Sequence, residues 1–200
     1  MVGERWSLLI IRELLIRPAR YGELLDSLPG VPTNLLADRL RRLEAAGVVE
    51  RRYDAEVEGV VYGLTAWGLE LREAVEALVR WSSPLMLRGR GKDTFRRQWL
   101  VIALRALLRG RSSPKPVTVG LEVEGASIAV SLDRSGVEVT QAADRLPVAT
   151  LRGEPSELLR LAAGLVPVDS VIDSGNLYGS RDIFASVFAP QATDKHGAST

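Results

Sequence analysis

Proline and glycine residues divide the first 47 residues into three short helical segments. Apolar residues recur at helical spacing after Ser7, which we expect to cap the first helix, and Pro18 ends that helix. A second segment, Tyr21 to Leu28, ends at a Pro-Gly pair, and a third, Thr33 to Ala46, ends at a glycine. The sequence thus predicts three short helices that are separated by tight breakers.

Two runs rich in Val and Tyr follow, Val48 to Tyr53 and Val60 to Leu64, and an acidic, glycine-containing segment joins them. This pattern predicts a β-hairpin. Thr65 is then expected to cap a long amphipathic helix from Ala66 to about Trp81. Three helices, a hairpin and a helix are the order of a winged helix-turn-helix domain, which we assign to residues 1–82.

The second half of the chain predicts an α+β domain over residues 94–190, so the whole protein is expected to be α+β. Residues 83–93 lose helical periodicity and accumulate breakers, which indicates a basic hinge. Residues 191–200 are expected to form a polar, disordered tail. The expected sheet is small and antiparallel. Its strands are expected at 117–123, 127–132, 137–141 and 147–151, and its helices at 94–109, 154–163, 168–172 and 183–188.

The net charge of +1 is unevenly distributed. Residues 88–111 carry eight bases and one acid, whereas residues 112–200 carry seven bases and eleven acids. A basic excess in the first half and the hinge favours an anionic partner. The bases of residues 88–111 could touch phosphate outside a core site or transmit coupling between domains, or they could form only a solvated amphipathic helix.

The third helix divides into an apolar and a polar side. Leu36, Leu40 and Leu43 share one side, and Asn34, Asp38, Arg41, Arg42 and Ala45 share the other. Arg39 lies on a flank. A helix that enters the major groove needs an apolar side toward its own domain and a polar side toward the DNA. An exposed hairpin adds contacts to the DNA backbone. The predicted DNA-binding residues are Thr33, Asn34, Arg39, Arg41, Arg42, Arg51 and Arg52.

Each of these residue types has a chemical reason to meet DNA. Asn34 can pair with adenine, an arginine can bind guanine or phosphate, and the helix start near Thr33 offers amides to a phosphate. Asp38 would repel phosphate, so we expect it to hold Arg41 or Arg42 at i+3 or i+4. Taken alone, an arginine-rich face is usually solvated surface, but the adjacent Arg51 and Arg52 of the hairpin favour DNA.

Residues 3 to about 82 resemble the HxlR family of bacterial winged-helix regulators. The resemblance implies a homodimer that binds a pseudo-palindromic operator, with the helix from Thr33 in the groove and Val48–Leu64 as the wing. It also implies that the helix from Ala66 helps to form the dimer. Its apolar stripe, which includes Leu71, Leu78 and Trp81, could alternatively be core against the second domain. The matching motifs are Gly3-Glu-Arg-Trp-Ser-Leu-Leu, Arg20-Tyr-Gly-Glu-Leu, Leu28-Pro-Gly-Val-Pro-Thr-Asn, Gly47-Val-Val-Glu-Arg and Tyr62-Gly-Leu-Thr-Ala-Trp-Gly.

The sequence departs from the family pattern at its start. Members usually carry a further N-terminal segment, often with a cysteine that senses oxidants or electrophiles, whereas this sequence starts at Met1 and has no cysteine. Thiol sensing, disulfides and cysteine-based zinc sites are therefore excluded for these residues. A missing segment, a truncation or a misplaced start codon would each explain the difference. The composition and the lack of a long apolar run predict a cytoplasmic protein with no membrane partner.

The pattern from Val117 onward resembles the sterol carrier protein fold. The resemblance rests on strand order, on the phrase around Gly153–Gly164 and on Ser174-Gly-Asn-Leu-Tyr-Gly. That fold often encloses an apolar cavity, which implies a hydrophobic small-molecule effector. Alternating aliphatic residues are also what any buried sheet contains, so a plain core remains the alternative. The candidate ligand-binding residues are Leu121, Ile128, Val130, Leu158, Leu161 and Phe184.

Functions of other classes have less support in the sequence. The single histidine, His196, lies in the polar tail, and neither a Walker A sequence nor a Rossmann glycine fingerprint is present, so no catalytic residue, metal or cofactor is expected. The acidic pair Glu122 and Glu124 is explained by an exposed sheet edge. The main alternative is a lipid or small-molecule carrier whose winged-helix domain mediates protein association.

Overall fold

The computed structural model describes residues 2–86, 97–141, 147–174 and 176–189, and it divides into two units, Met1–Leu78 and Val79–Thr200. Residues 87–93 of the expected hinge, residues 94–96 of the expected helix and the tail 191–200 lie outside the described residues.

The first unit has the predicted order of elements. α1 and α3 bury leucine and isoleucine residues that recur at helical spacing, and the hairpin adds Val48, Val49 and Val61 to the same core. The two strands pair antiparallel, with Val49 opposite Leu64. The elements are α1 (Arg5–Ile16), α2 (Tyr21–Ser27), α3 (Thr33–Ala45), β1 (Val49–Asp54), β2 (Gly59–Leu64), α4 (Ala66–Leu69) and α5 (Leu71–Met86), of which α5 extends past the end of the unit.

α1 begins earlier than the sequence predicts. Glu4 is the N-cap, and its carbonyl oxygen accepts hydrogen bonds from the amides of Ser7 and Leu8 at 3.0 and 3.3 Å. The expected cap, Ser7, is buried inside the helix. The prediction was wrong because a serine marks a helix start only when its hydroxyl reaches an unpaired amide, and sequence alone does not show that contact.

The segment between α1 and α2 joins the hairpin through one residue. Ala19 and Tyr62 exchange two backbone hydrogen bonds, of 3.0 and 2.8 Å, as an isolated antiparallel bridge. This pairing fixes the start of α2 against β2. A single-residue bridge leaves no periodic pattern, so the sequence did not predict it.

The helix that was expected from Ala66 to Trp81 is divided at Glu70. Thr65 caps α4 as predicted, because its hydroxyl oxygen accepts from the amide of Gly68 at 3.0 Å. A Cβ atom at Gly68 would lie 2.1 Å from the carbonyl oxygen of Val48. Glycine therefore allows α4 to approach the backbone in front of β1 more closely than another residue would.

α5 continues through Pro84, a position where the sequence predicts loss of helix. Proline lacks an amide hydrogen, which leaves the carbonyl of Arg80 without its usual partner. The Ser83 hydroxyl donates to that carbonyl at 2.8 Å, and the Ser82 hydroxyl donates to the carbonyl of Val79 at 3.1 Å. The Ser83 hydroxyl thus satisfies the carbonyl that the proline leaves without an amide partner, and the helix persists to Met86.

The second unit contains a five-stranded sheet with the strand order β5-β4-β3-β6-β7. β3, β4 and β5 form an antiparallel meander, β6 pairs parallel with β3, and β7 pairs antiparallel with β6. Its elements are α6 (Arg97–Leu107), β3 (Val117–Val123), β4 (Ala126–Asp133), β5 (Gly136–Gln141), β6 (Thr150–Arg152), α7 (Pro155–Ala162), α8 (Val168–Ser174), β7 (Asn176–Tyr178) and α9 (Arg181–Phe188).

The sheet is mixed, and this corrects the predicted antiparallel sheet. The apolar pattern of β6 shows that it is buried but carries no information on which strand it joins or in which direction. Gly120 decides the approach of β6, since a Cβ atom there would lie 2.3 Å from Oγ1 of the buried Thr150. β7 is three residues long and was not predicted.

One apolar core fills the second unit. Residues from α6, α7, α8 and α9 pack with alternating residues of the sheet, and the rings of Phe184 and Phe188 stack with centroids 5.0 Å apart. Across the described ranges, no helix has the length and apolar composition of a membrane span.

Candidate nucleic-acid interface

α3 has the two faces that its sequence predicts. Leu36, Leu40 and Leu43 are at most 1% exposed and attach the helix to its own unit. The opposite face is open to solvent, with Arg41 74% and Arg42 61% exposed. A helix that packs its apolar face against its own unit and exposes a basic face has the form needed to enter a major groove.

Tyr21 connects α2 to the start of α3. Its hydroxyl donates to the carbonyl oxygen of Thr33 at 2.7 Å. This contact orients the first turn of α3 relative to α2. Among the residues that position α3, Tyr21 was missed, because the sequence marks it only as part of a family motif and not as a hydrogen-bond donor.

The start of α3 is open to an anion. Pro32 is the N-cap and supplies no side-chain hydrogen bond, and both Thr33 and Asn34 are exposed. The side-chain Oδ1 of Asn34 accepts a hydrogen bond from the backbone amide of Leu35 at 2.9 Å. A paired contact of Asn34 with adenine therefore requires this oxygen to share or release the Leu35 amide.

Asp38 lies between the arginines of the exposed face. Its carboxylate is 2.8 Å from Nε of Arg42 and 3.5 Å from Nη2 of Arg41. The predicted pairing at i+3 and i+4 is confirmed. One carboxylate faces several guanidinium groups, so the cluster keeps a net positive charge.

Arg39 points away from the exposed face. Its guanidinium forms an ion pair with Glu4 at the start of α1, and a longer contact of 3.4 Å reaches Asp38. The Arg39 side chain is 18% exposed, far less than those of Arg41 and Arg42. Arg39 thus joins α3 to α1. Sequence reasoning missed Glu4, because its partner lies 35 positions away and no local pattern links the two.

Arg51 and Arg52 lie on opposite faces of the hairpin. Arg51 is opposite Tyr62, Arg52 is opposite Val61, and successive side chains of a strand alternate. Both are exposed, and Nε of Arg52 is 3.9 Å from Glu50. The two arginines can therefore approach different parts of a duplex.

The tip of the hairpin carries three acids and a cation beside them. A Cβ atom at Gly59 would lie 3.1 Å from Nη2 of Arg20, so the Arg20 guanidinium covers the start of β2. Asp54, Glu56 and Glu58 surround the turn, where Asp54 accepts from the amide of Glu56 at 3.0 Å. The acids of this tip would repel phosphate, and Arg20 at the same end offsets part of their charge.

Glu23 holds the first turn of α2 in place. Its carboxylate accepts from the backbone amide of Arg20 and from the Arg17 side chain, both at 2.6 Å. The hydrogen bond from Arg17 is the main cause that lowers the pKa of Glu23, and the Arg20 amide acts in the same direction.

The six candidate ligand-binding residues all lie in the core of the second unit, where each is at most 1% exposed. A half-open hollow of about 940 Å³ lies elsewhere in that unit, at the end of α6 and between α7 and α8. Leu107, Arg109, Leu165, Val166 and Phe188 are among the residues that line it. The hollow and the six candidates are thus separate sets of residues.

The acidic pair of the second unit is not a strand pair. Glu122 lies on the central strand β3 and binds Arg152 of β6 at 2.8 Å, whereas Glu124 lies in the turn after β3. The explanation by an exposed sheet edge is wrong, because β3 has a neighbour on each side. Among the described residues, no group of three or more His, Asp or Glu side chains could hold a metal ion.

Three helices, a two-stranded wing and an exposed basic α3 define the first unit as a winged helix-turn-helix domain. A family model described as HxlR-like helix-turn-helix matches residues 1–89. YodB of Bacillus subtilis, named an HTH-type transcriptional regulator, is 34% identical over 83 residues, which cover 41% of this chain and 74% of YodB. The chain belongs to the HxlR-like helix-turn-helix family.

Other relatives carry similar names. An uncharacterized HTH-type transcriptional regulator of Synechocystis, sll1512, is 40% identical over 79 residues, or 39% of this chain and 58% of sll1512. The chain therefore spans less than two thirds of that relative. The solved reduced form of YodB is 32% identical over 44% of this chain and 87% of that chain, with a TM-score of 0.38. The oxidized form of the redox regulator HypR is 27% identical over 42% of this chain and 87% of the HypR chain, with a TM-score of 0.39.

Proposed function

We propose that this protein binds operator DNA as a transcription regulator. The observation that carries the proposal is the exposed pair Arg41 and Arg42, held by Asp38 on the face of α3 opposite its buried leucines. The names of the relatives as transcriptional regulators support the same function.

The residues divide into those of α3, which enter the major groove, and those of the wing, which meet the DNA backbone. Asn34, Arg41 and Arg42 enter the major groove, and the start of α3 at Thr33 receives a phosphate. Arg51 and Arg52 contact the backbone beside the acidic wing tip. Arg39 contributes through its ion pair with Glu4, which holds α1 against α3.

The test compares variants on two kinds of DNA, the region upstream of the protein's own gene and a mixed-sequence duplex, at two salt concentrations. Wild type should bind the first specifically and lose affinity steeply as salt rises. Arg42→Ala should weaken specific binding by about 1–3 kcal/mol. Arg52→Ala should weaken binding to both DNAs alike.

Arg160→Ala is the matched control, because it removes the same charge from an exposed helical position of the second unit. It should leave both affinities unchanged. Equal, sequence-independent losses for Arg42→Ala and Arg52→Ala would contradict the assignment of base reading to α3. If wild type binds neither DNA at low salt, the proposed function itself is wrong.

We also propose that the protein acts as a homodimer. The support is an apolar stripe on α5 at Leu71, Leu78, Trp81 and Leu85, of which Leu78 is 51% and Trp81 77% exposed. These residues follow one another at intervals of seven, three and four positions, which places them on one side of the helix, as in helices that pair along a seam. Two copies related by a twofold axis would present two α3 helices to a pseudo-palindromic site.

For the second unit we propose a sterol-carrier-like fold that takes a hydrophobic small-molecule effector. Its support is the small mixed sheet packed with four helices, together with the half-open hollow near Leu165 and Phe188. An effector regulates DNA binding only if it binds one state of the dimer better than the other. The chain has no cysteine, so regulation through a thiol within these residues is excluded.

A fluorescent fatty acid provides the probe for this second proposal. Saturable binding that changes the affinity for specific DNA would support a ligand-gated regulator. Saturable binding by a protein that has no salt-sensitive DNA affinity would instead favour the carrier function, with the winged helix mediating protein association. Failure to bind the probe would count against a hydrophobic effector of this type.

A further inference from the structure

Asp38 occupies the middle of the exposed face of α3. On a helical projection it lies opposite the buried Leu36 and Leu43, with Arg41 and Arg42 on either side. A carboxylate in this position faces the phosphates of any duplex that the helix approaches, which opposes binding. We therefore look for a favourable contribution of Asp38 to DNA binding that offsets this repulsion.

The contact with Arg42 suggests what that contribution is. Asp38 approaches Arg42 through Nε, at 2.8 Å, while the Arg42 side chain remains 61% exposed. A guanidinium group has five N–H donors in a planar fork, and its terminal edge is the one that pairs with O6 and N7 of guanine. An ion pair on the Nε side restrains the Arg42 side chain and leaves the terminal edge of its guanidinium to a base.

We infer that Asp38 is a positioning residue that orients the Arg42 guanidinium for guanine before DNA arrives. This inference rests on the proposed DNA-binding function. It adds that guanine is the base recognised and that the Asp38–Arg42 pair recognises it. The orientation reduces the rotamer freedom that Arg42 would otherwise lose on binding. The same carboxylate repels phosphate, so Asp38 lowers affinity for mixed DNA and raises discrimination.

Arg41 differs from Arg42 in a way that separates their roles. Its closest contact with Asp38 is 3.5 Å, and it is 74% exposed. Its hydrogen bond to Asp38 uses Nη2, a terminal nitrogen of the fork, so less of this edge is left for a base than in Arg42. We therefore assign guanine reading to Arg42 and backbone contact to Arg41.

The experiment selects binding sites from duplexes with a randomised central segment and compares wild type with Asp38→Asn, Arg42→Lys and Glu44→Gln. Glu44 is exposed on the same helix and outside the cluster, so Glu44→Gln is a control that removes the same charge. Affinities for a selected duplex and for mixed DNA are then measured, and thermal melting checks that each variant is folded.

Wild type should enrich a guanine at one position of each half-site. Asp38→Asn should bind mixed DNA more tightly yet lose about tenfold in its ratio of specific to mixed affinity, with a flattened guanine preference. Arg42→Lys keeps the charge and should flatten the same position. Glu44→Gln should gain affinity for mixed DNA and keep the preference.

The inference is overturned if Asp38→Asn retains the wild-type base preference, or if Glu44→Gln loses it equally. The inference is also overturned if wild type selects a site in which no guanine preference is lost in Arg42→Lys. DNA binding itself would still stand in that case. Only a wild type that enriches no sequence would remove the proposed function together with the inference.

Discussion

Glu23 shows how one carboxylate can organise the start of a helix. It receives hydrogen bonds from the Arg20 amide and from the Arg17 side chain, and the second of these is the main reason that its pKa is lowered. Because α2 is only seven residues long, this first turn is a large part of the element that supports α3.

We expect Glu23→Gln to lower the free energy of unfolding at pH 7 by about 1 kcal/mol, the usual effect of a lost helix-capping contact. The ionised carboxylate stabilises the fold fully above its ordinary pKa of 4.5, and this stabilisation is lost as pH falls through the lower folded pKa. Denaturant unfolding of wild type and Glu23→Gln should therefore be measured from pH 7 to 3. The difference in their free energies of unfolding should be constant at higher pH and should shrink below pH 4.5.

Asp26→Asn is the control for this measurement, since Asp26 is exposed on the same helix. Its effect should be small at every pH. A Glu23→Gln difference that persists unchanged at pH 3 would show that the carboxylate charge is not the cause.

Single residues also differ in how far their roles could be predicted. Asp38 was expected to hold Arg41 or Arg42, and it does, because residues three and four apart on a helix are neighbours whatever the fold. The pair of Glu4 and Arg39 could not be predicted, since it exists only after α1 packs beside α3.

At the scale of elements, backbone contact decided where helices end. The periodicity after Thr65 predicts one helix, but α4 ends at Leu69 and α5 begins at Leu71. The proximity of Gly68 to the Val48 carbonyl is set by the packing of α4 against the chain before β1. α5 instead continues past Pro84, because the Ser83 hydroxyl replaces the hydrogen bond that the proline cannot donate.

Gly68→Ala should lower the free energy of unfolding by about 2–3 kcal/mol, because its Cβ atom would overlap a backbone oxygen that cannot move alone. Gly22→Ala is the matched control, since Gly22 lies in α2 with nothing within 4 Å of the added atom. This control should stabilise the protein by about 0.5–1 kcal/mol. Chemical unfolding measures both, and equal effects would contradict the close approach of α4.

At the scale of the whole molecule, α5 carries large apolar side chains that are open to solvent. Leu78, Trp81 and Leu85 are all exposed along one helix. Exposed apolar residues that line up in this way are typical of an interface with another chain. The proposed homodimer would cover them and set the distance between two α3 helices.

Trp81→Asp should weaken dimerisation about tenfold or more, because a charge would replace a large apolar side chain in the proposed interface. Sedimentation velocity over a range of protein concentrations measures the effect. Val148→Asp is the control, as Val148 is 82% exposed in the second unit and lies off this stripe. If Trp81→Asp sediments like wild type at every concentration, α5 is not the dimer helix.

The sequence alone determined the features that depend on neighbours along the chain. Helical and alternating apolar patterns predict the three helices, the wing and most of the second unit, and the two faces of α3 follow from its periodicity. The family resemblance also rests on local motifs, and the match of residues 1–89 agrees with it.

Tertiary structure decided what depends on residues far apart in the chain. The parallel pairing of β6 with β3, the bridge of Ala19 with Tyr62 and the inward turn of Arg39 all require partners that packing brings together. A local pattern records whether a side chain is buried, but it does not record which distant group it meets. The division of the α3 arginines into outward and inward groups is therefore a property of the fold.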